Sequence, residues 1–183
     1  MHVIQDFYSV RSVGSSRNFI ADADFGEADP IAVTRGERAV RLVHAKRAAG
    51  AKEPSDIVWT TFVGPMFMSP RIRKLLHDNE VTGWCTYPVE ILVGQATYEY
   101  FGLVVTGRCG SLVTKREEMK RFPAGQFPIL RGICFGIDTW DGSELFMSTD
   151  LSAWVFSVGR VKSLVSNYVK NVNFEPLTDV EQI

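Results

Sequence analysis

Histidine and cysteine, the side chains most used for nucleophilic and metal chemistry, are scarce here. The chain has three of each in 183 residues. His2, His44 and His77 form no local pair, and no His-Glu-x-x-His, Cys-x-x-Cys, Gly-x-Ser-x-Gly, Walker loop or dinucleotide fingerprint occurs. No metal site and no cofactor are therefore expected. Cys85, Cys109 and Cys134 are odd in number and far apart, which argues against a disulfide framework and fits a reducing compartment. No apolar run approaches the ~18 residues needed to span a bilayer. The opening Met-His-Val-Ile-Gln-Asp-Phe-Tyr lacks the basic start and apolar run of a secretory signal, so a cytoplasmic protein is expected. A basic excess is missing too: the formal net charge is −1, against the strong positive balance of a dedicated nucleic-acid binder.

What remains is ordinary globular material. Hydrophobic residues make up 45% and charged residues 22% of the chain, enough to bury a core without disulfide or metal staples. The length suits one domain, 1–183, in which 56–183 form the main body and 1–55 could be an N-terminal extension. Ala49-Gly50-Ala51-Lys52-Glu53-Pro54-Ser55 reads as the surface connection between them.

The most legible stretch is 69–93. Ser69 suits a helix N-cap and Pro70 the first helical position, with Ile72, Leu75 and Leu76 on one face. Thr82-Gly83 turns the chain. Cys85, Tyr87, Val89, Ile91 and Val93 then alternate onto one face of a strand, which Pro88 places at an edge or a bulge. Gly94-Gln95-Ala96-Thr97 is a hairpin-length loop before a returning strand over 98–106, with Gly102 as an expected bulge. Segment 37–47 leans to strand, and 57–63 has strand composition. Residues 111–123 are densely charged and read as a short helix or an exposed loop. Strand is expected again over 129–138, with Gly132 and Gly136 facing something packed close, most simply a helix. A weaker copy of the 69–93 pattern closes the chain: Arg160, Val161, Lys162, Leu164 and Val165 match Arg71, Ile72, Arg73, Leu75 and Leu76. The fold class expected is α+β, a mostly antiparallel sheet with a few short helices on one side and this helix-turn-strand unit repeated.

Chemistry is thin. Asp22-x-Asp24-x-Gly26 misses the calcium-loop pattern, because the glycine comes one position early and Val33 stands where the glutamate belongs. Arg35, Arg38, Arg41, Lys46, Arg47 and Lys52 could bind phosphate, but read more simply as a solvated basic face. Cys109, beside Arg108 and with His77 as a distant base, is the one nucleophile worth testing. Cys85 and Cys134 read as small core residues. Trp140, between Asp138 and Asp141 at an expected hairpin tip, either faces solvent as a binding hot spot for a basic partner or folds back on its own sheet.

Three blocks carry a family resemblance over roughly 60–183. They are Met68-Ser69-Pro70-Arg71-x-x-x-Leu75-Leu76, then Thr82-Gly83-Trp84-x-Thr86-Tyr87-Pro88-Val89-Glu90, then Tyr100-x-Gly102-Leu103-x-Val105-x-Gly107-Arg108-Cys109-Gly110, with Asn173-Phe174-Glu175-Pro176-Leu177 at the end. Together they resemble uncharacterised bacterial proteins loosely grouped with the immunity-protein-like families of polymorphic toxin systems. That resemblance implies a non-enzymatic protein that binds and blocks a cognate toxin, and it brings no catalytic residues. Acidic clusters at 22–29, 138–144 and 175–181 could face a basic toxin. The alternative is an enzyme or small-molecule binder with a cleft near Arg108 and Cys109. A homodimer through an exposed sheet edge near Pro88 or the C-terminal strand is also open.

Overall fold

The computed structural model describes residues 6–14, 17–150 and 153–182. Its strands are β1 (Phe7–Ser12), β2 (Ile20–Asp24), β3 (Val43–Ala49), β4 (Ile57–Thr60), β5 (Met66–Met68), β6 (Trp84–Val93), β7 (Ala96–Val105), β8 (Gly107–Cys109), β9 (Val113–Phe122), β10 (Gly125–Cys134), β11 (Leu145–Ser148), β12 (Val155–Val158), β13 (Val172–Pro176) and β14 (Glu181–Gln182). Three short helices accompany them: α1 (Pro30–Thr34), α2 (Pro70–Asp78) and α3 (Gly159–Ser166). No helix among the described residues is long and apolar enough to cross a membrane.

The chain is mostly β with few helices, but it is not the simple antiparallel sheet expected from the sequence. Six strands close a barrel in the order β2-β3-β6-β7-β5-β4, and two of its joints, β2 with β4 and β3 with β6, are parallel. A five-stranded sheet, β13-β1-β12-β11-β8, packs beside it, and a three-stranded sheet, β14-β10-β9, stands apart. Residues before 56 are integral to this plan. β1 lies between β12 and β13, while β2 and β3 are barrel staves.

Strand periodicity explains the two cores. In β5, Phe67 points into the barrel while Met66 and Met68 point out of it. In β7, Val104 points in while Leu103 and Val105 point out. The outward residues do not meet water, because the five-stranded sheet, α2 and α3 cover them and form a second core around Phe146 and Phe156. This is why 101–105 is apolar without alternation. Inside the barrel, Gly102 leaves room for the Tyr87 ring, since a Cβ there would stand 1.9 Å from Tyr87 Cζ. Gly102 therefore makes space within an unbroken ladder, where Tyr87 is its register partner, and is not a bulge.

Helix α2 forms as its sequence predicts. The Ser69 hydroxyl accepts from the Ile72 N–H, Pro70 opens the helix, and Ile72 and Leu76 are buried. The echo at α3 is local only. Val158 occupies the N-cap with no side-chain bond, and the strand that follows, β13, is an edge strand pairing with β1. Its counterpart β6 is an interior barrel stave between β3 and β7. Pro88 is tolerated there because pairing with β3 begins only at Val89, leaving one flank of residue 88 open. Cys85 continues the inward phase of Tyr87 but lies beyond that same point, so it is exposed and not a core thiol.

Candidate functional site

The Arg108–Cys109 neighbourhood is a structural joint in which the thiol is enclosed. Cys109 is fully buried, and that burial, helped by the nearby carboxylates of Asp150 and Asp141, pushes its thiol up to about 11. Arg108 donates from Nη1 to the carbonyls of Val105 (2.7 Å) and Gly107 (2.8 Å), and from Nη2 to that of Arg35. Burial and the neighbouring positive charge of Arg35 lower its own pKa. His77 is 84% exposed on α2, with Nδ1 3.8 Å from Asp78. The proposed nucleophile and base are not brought together. A thiol at about 11 is ionised to only about one part in a thousand at pH 8. A chromogenic disulfide reagent at pH 8 should therefore label the exposed Cys85 in the native protein and reach Cys109 only on unfolding. Prompt native labelling of Cys109 would show that the joint opens.

The basic segment 35–52 is split: Lys46, Arg47 and Lys52 line one open surface depression with Leu92, Val93 and Gly94, while Arg35 is buried elsewhere. Arg35 is 5% exposed and donates to the carbonyls of Ser148 (3.1 Å) and Asp150 (2.6 Å) while pairing with Glu37 (2.6 Å). Arg47 donates to the carbonyls of Ala51 (2.8 Å) and Gly50 (2.5 Å), closing a loop. Lys46 pairs with Asp22 at 3.5 Å and His44 with Glu90 at 3.4 Å, along an open polar trough on the outside of the barrel.

Trp140 has folded back. Its ring packs edge-on against Phe7 (5.2 Å) and tilted against Phe146 (5.8 Å), and its indole N–H donates to Ser143 O at 3.0 Å. The segment around it is a short 3-10 turn, Ile137–Thr139, not the end of strand 129–138, and β11 pairs with β8 and β12 instead of returning along β10. Asp141 accepts from the backbone N–H groups of Arg108 (2.8 Å) and Ser143 (2.9 Å), and these bonds hold its carboxyl below the usual range against the opposing effect of burial. Asp138 is exposed beside it.

The acidic clusters are engaged in the same way. Asp24 caps the Gly26 turn, Asp29 caps α1, Glu144 pairs with Arg160, Glu175 with Arg11, and Glu181 with Lys120 and Arg131. These carboxylates serve the fold, while Glu27 and Asp138 are exposed.

A further exposed surface is one that the sequence did not announce. Residues 113–122, expected as a short helix or loop, form β9, which pairs with β10 over its full length through a two-residue Pro123-Ala124 turn. Two residues of this hairpin are almost fully buried, Ile133 near its base within the second core and Ile129 at its middle. No helix backs Gly132 or Gly136. Gly132 takes φ +72° against the Thr178 carbonyl and Lys115, and Gly136 abuts Asp138 and Thr139. On the outer face every second residue of β9, from Val113 to Arg121, is exposed. Met119 is 62% exposed, Val113 60% and Leu130 39%, and at the tip Phe127, 45% exposed, stacks near Phe122 at 6.0 Å. Cys134 sits on this same outer phase, half-buried, with Sγ 3.5 Å from Val113 O. The signals available were the Pro-Ala-Gly turn and the alternation of Phe127, Ile129, Arg131 and Ile133. The charged run hid the partner strand. The chain matches no protein-family model and no curated protein.

Proposed function

We propose that this protein is a non-enzymatic binding module whose β9–β10 arm docks a protein partner, in keeping with its resemblance to immunity proteins that neutralise a cognate toxin. The observation that carries this reading is the arm's composition. Val113, Met119, Phe127 and Leu130 leave much of their apolar surface exposed along one arm. Apolar contacts ringed by charge, here Lys115, Glu117 and Arg121 around Met119 and Leu130, are what a protein interface presents. Support also comes from the candidate nucleophile, which is sealed and unassisted.

Co-expression with the product of each neighbouring gene tests the proposal. A toxic neighbour should be neutralised by the native chain and bound by it in a pull-down. Phe127→Asp and Leu130→Asp, both at exposed positions, should weaken that binding at least about tenfold while leaving the melting temperature within a few degrees. Absence of rescue and of binding by every neighbouring product would sink the reading.

A further inference from the structure

We infer that the free edge of β9 pairs with the same edge of a second copy, in antiparallel fashion, about a two-fold axis through Met119. β9 is the terminal strand of the β14-β10-β9 sheet and carries ten residues with no strand on its outer side among the described residues. An unpaired edge of this length is a template for another strand.

The backbone is aimed for it. Pro128, which has no N–H to give, stands opposite Met119, as suits a non-hydrogen-bonded position of the ladder. Gly132, in the same phase of β10, donates its N–H away from β9 to Val180 O at 2.8 Å. Alternation then turns the N–H and C=O groups of Glu117, Met119 and Arg121 to the outer edge.

The side chains choose the partner. About Met119 the run Arg116-Glu117-Glu118-Met119-Lys120-Arg121-Phe122 is charge-complementary to itself reversed. Glu117 meets Arg121 of the second copy, Glu118 meets Lys120, and Arg116 meets the ring of Phe122, each contact made twice. Met119 is the one uncharged residue from 116 to 121, so every neighbouring axis sets a charge against its own copy. Glu118 is already held by Arg116 (2.6 Å) and Arg131 (3.0 Å), and Lys120 by Glu181, so those residues would join an existing network. Glu117 and Arg121 are different. Both are exposed on the outer face, no ion-pair partner is found for either among the described residues, and four strand positions separate them, about 13 Å. They are too far apart to meet within one chain and directly opposed across two. The product is a continuous six-stranded sheet that joins the two outer faces.

The inference does not depend on the toxin reading, because it is measured on the full chain alone. Sedimentation at about 1–100 µM, the range for a small edge-to-edge interface, should show a reversible monomer–dimer equilibrium. Glu117→Arg and Arg121→Glu should each weaken dimerisation about tenfold or more. Mixing the two variants should restore it as a heterodimer, and the double variant should restore it as a homodimer. Met119→Cys should give an inter-chain disulfide on oxidation beyond the background of the parent chain. Monomer throughout the range, a dimer indifferent to both charge variants, or single-variant losses that neither the mixture nor the double variant repairs would each overturn it.

Discussion

Phe146→Ala should destabilise the protein by about 3–5 kcal/mol, the largest loss expected from a single truncation here. Phe146 is fully buried in β11, and four aromatic rings converge on it: Phe7 at 5.6 Å, Phe135 at 5.5 Å, Trp140 at 5.8 Å and Phe156 at 5.6 Å. Those neighbours come from three segments, β1, the β10–β11 connection and β12, so none can close the hole without dragging its own backbone. For a domain of this length the loss corresponds to a fall in melting temperature of roughly 10–15 °C. Chemical denaturation with an unchanged slope would confirm the size. A loss below about 1 kcal/mol would mean that the second core is loosely packed.

Arg35→Leu should cost about 2–4 kcal/mol, although it replaces a charged residue with an apolar one of the kind cores accept. The guanidinium donates to the carbonyls of Ser148, which is buried, and of Asp150 at the end of β11, and leucine would remove both bonds. Arg108 donates to the backbone carbonyl of residue 35, which leucine retains, so that bond is not part of the expected loss. Arg38 and Arg41, three and six residues on and both exposed, serve as controls and should change stability by less than about 0.5 kcal/mol when replaced by alanine. Equal effects at all three positions would refute the joint.

These two residues mark the boundary of what the sequence could say. Arg35 and Arg38 look alike in a basic run, and nothing within a few residues distinguishes the one that is inserted beneath β11. Phe146 could be read as apolar, but not as the meeting point of four rings from three segments. Trp140 was open in sequence between solvent and its own sheet, and the choice was made by Phe7, more than a hundred residues away.

Local instructions were legible throughout. The Ser69 cap and Pro70 start set α2, Gly94-Gln95 set the β6–β7 hairpin, and alternation placed Tyr87, Val89 and Ile91 inward. These depend on contacts a few residues apart and on side-chain period, which the order of residues contains directly. Cys85 obeyed the same alternation and was nevertheless left exposed, because its strand outran the neighbour that would have covered it.

Barrel closure belongs to the tertiary structure. The parallel joint of β4 with β2 and the cover laid by the five-stranded sheet over Met66, Met68, Leu103 and Val105 bring together segments remote in sequence. So does the β9–β10 arm, whose charged strand has no alternating pattern to announce it, since no residue of β9 on either face is buried. Sequence alone determined where the chain would turn, cap and alternate. Only the assembled fold decided which alternating faces were covered, which charges were enclosed, and which strand was left with an open edge, because each depends on pairings that no local rule encodes.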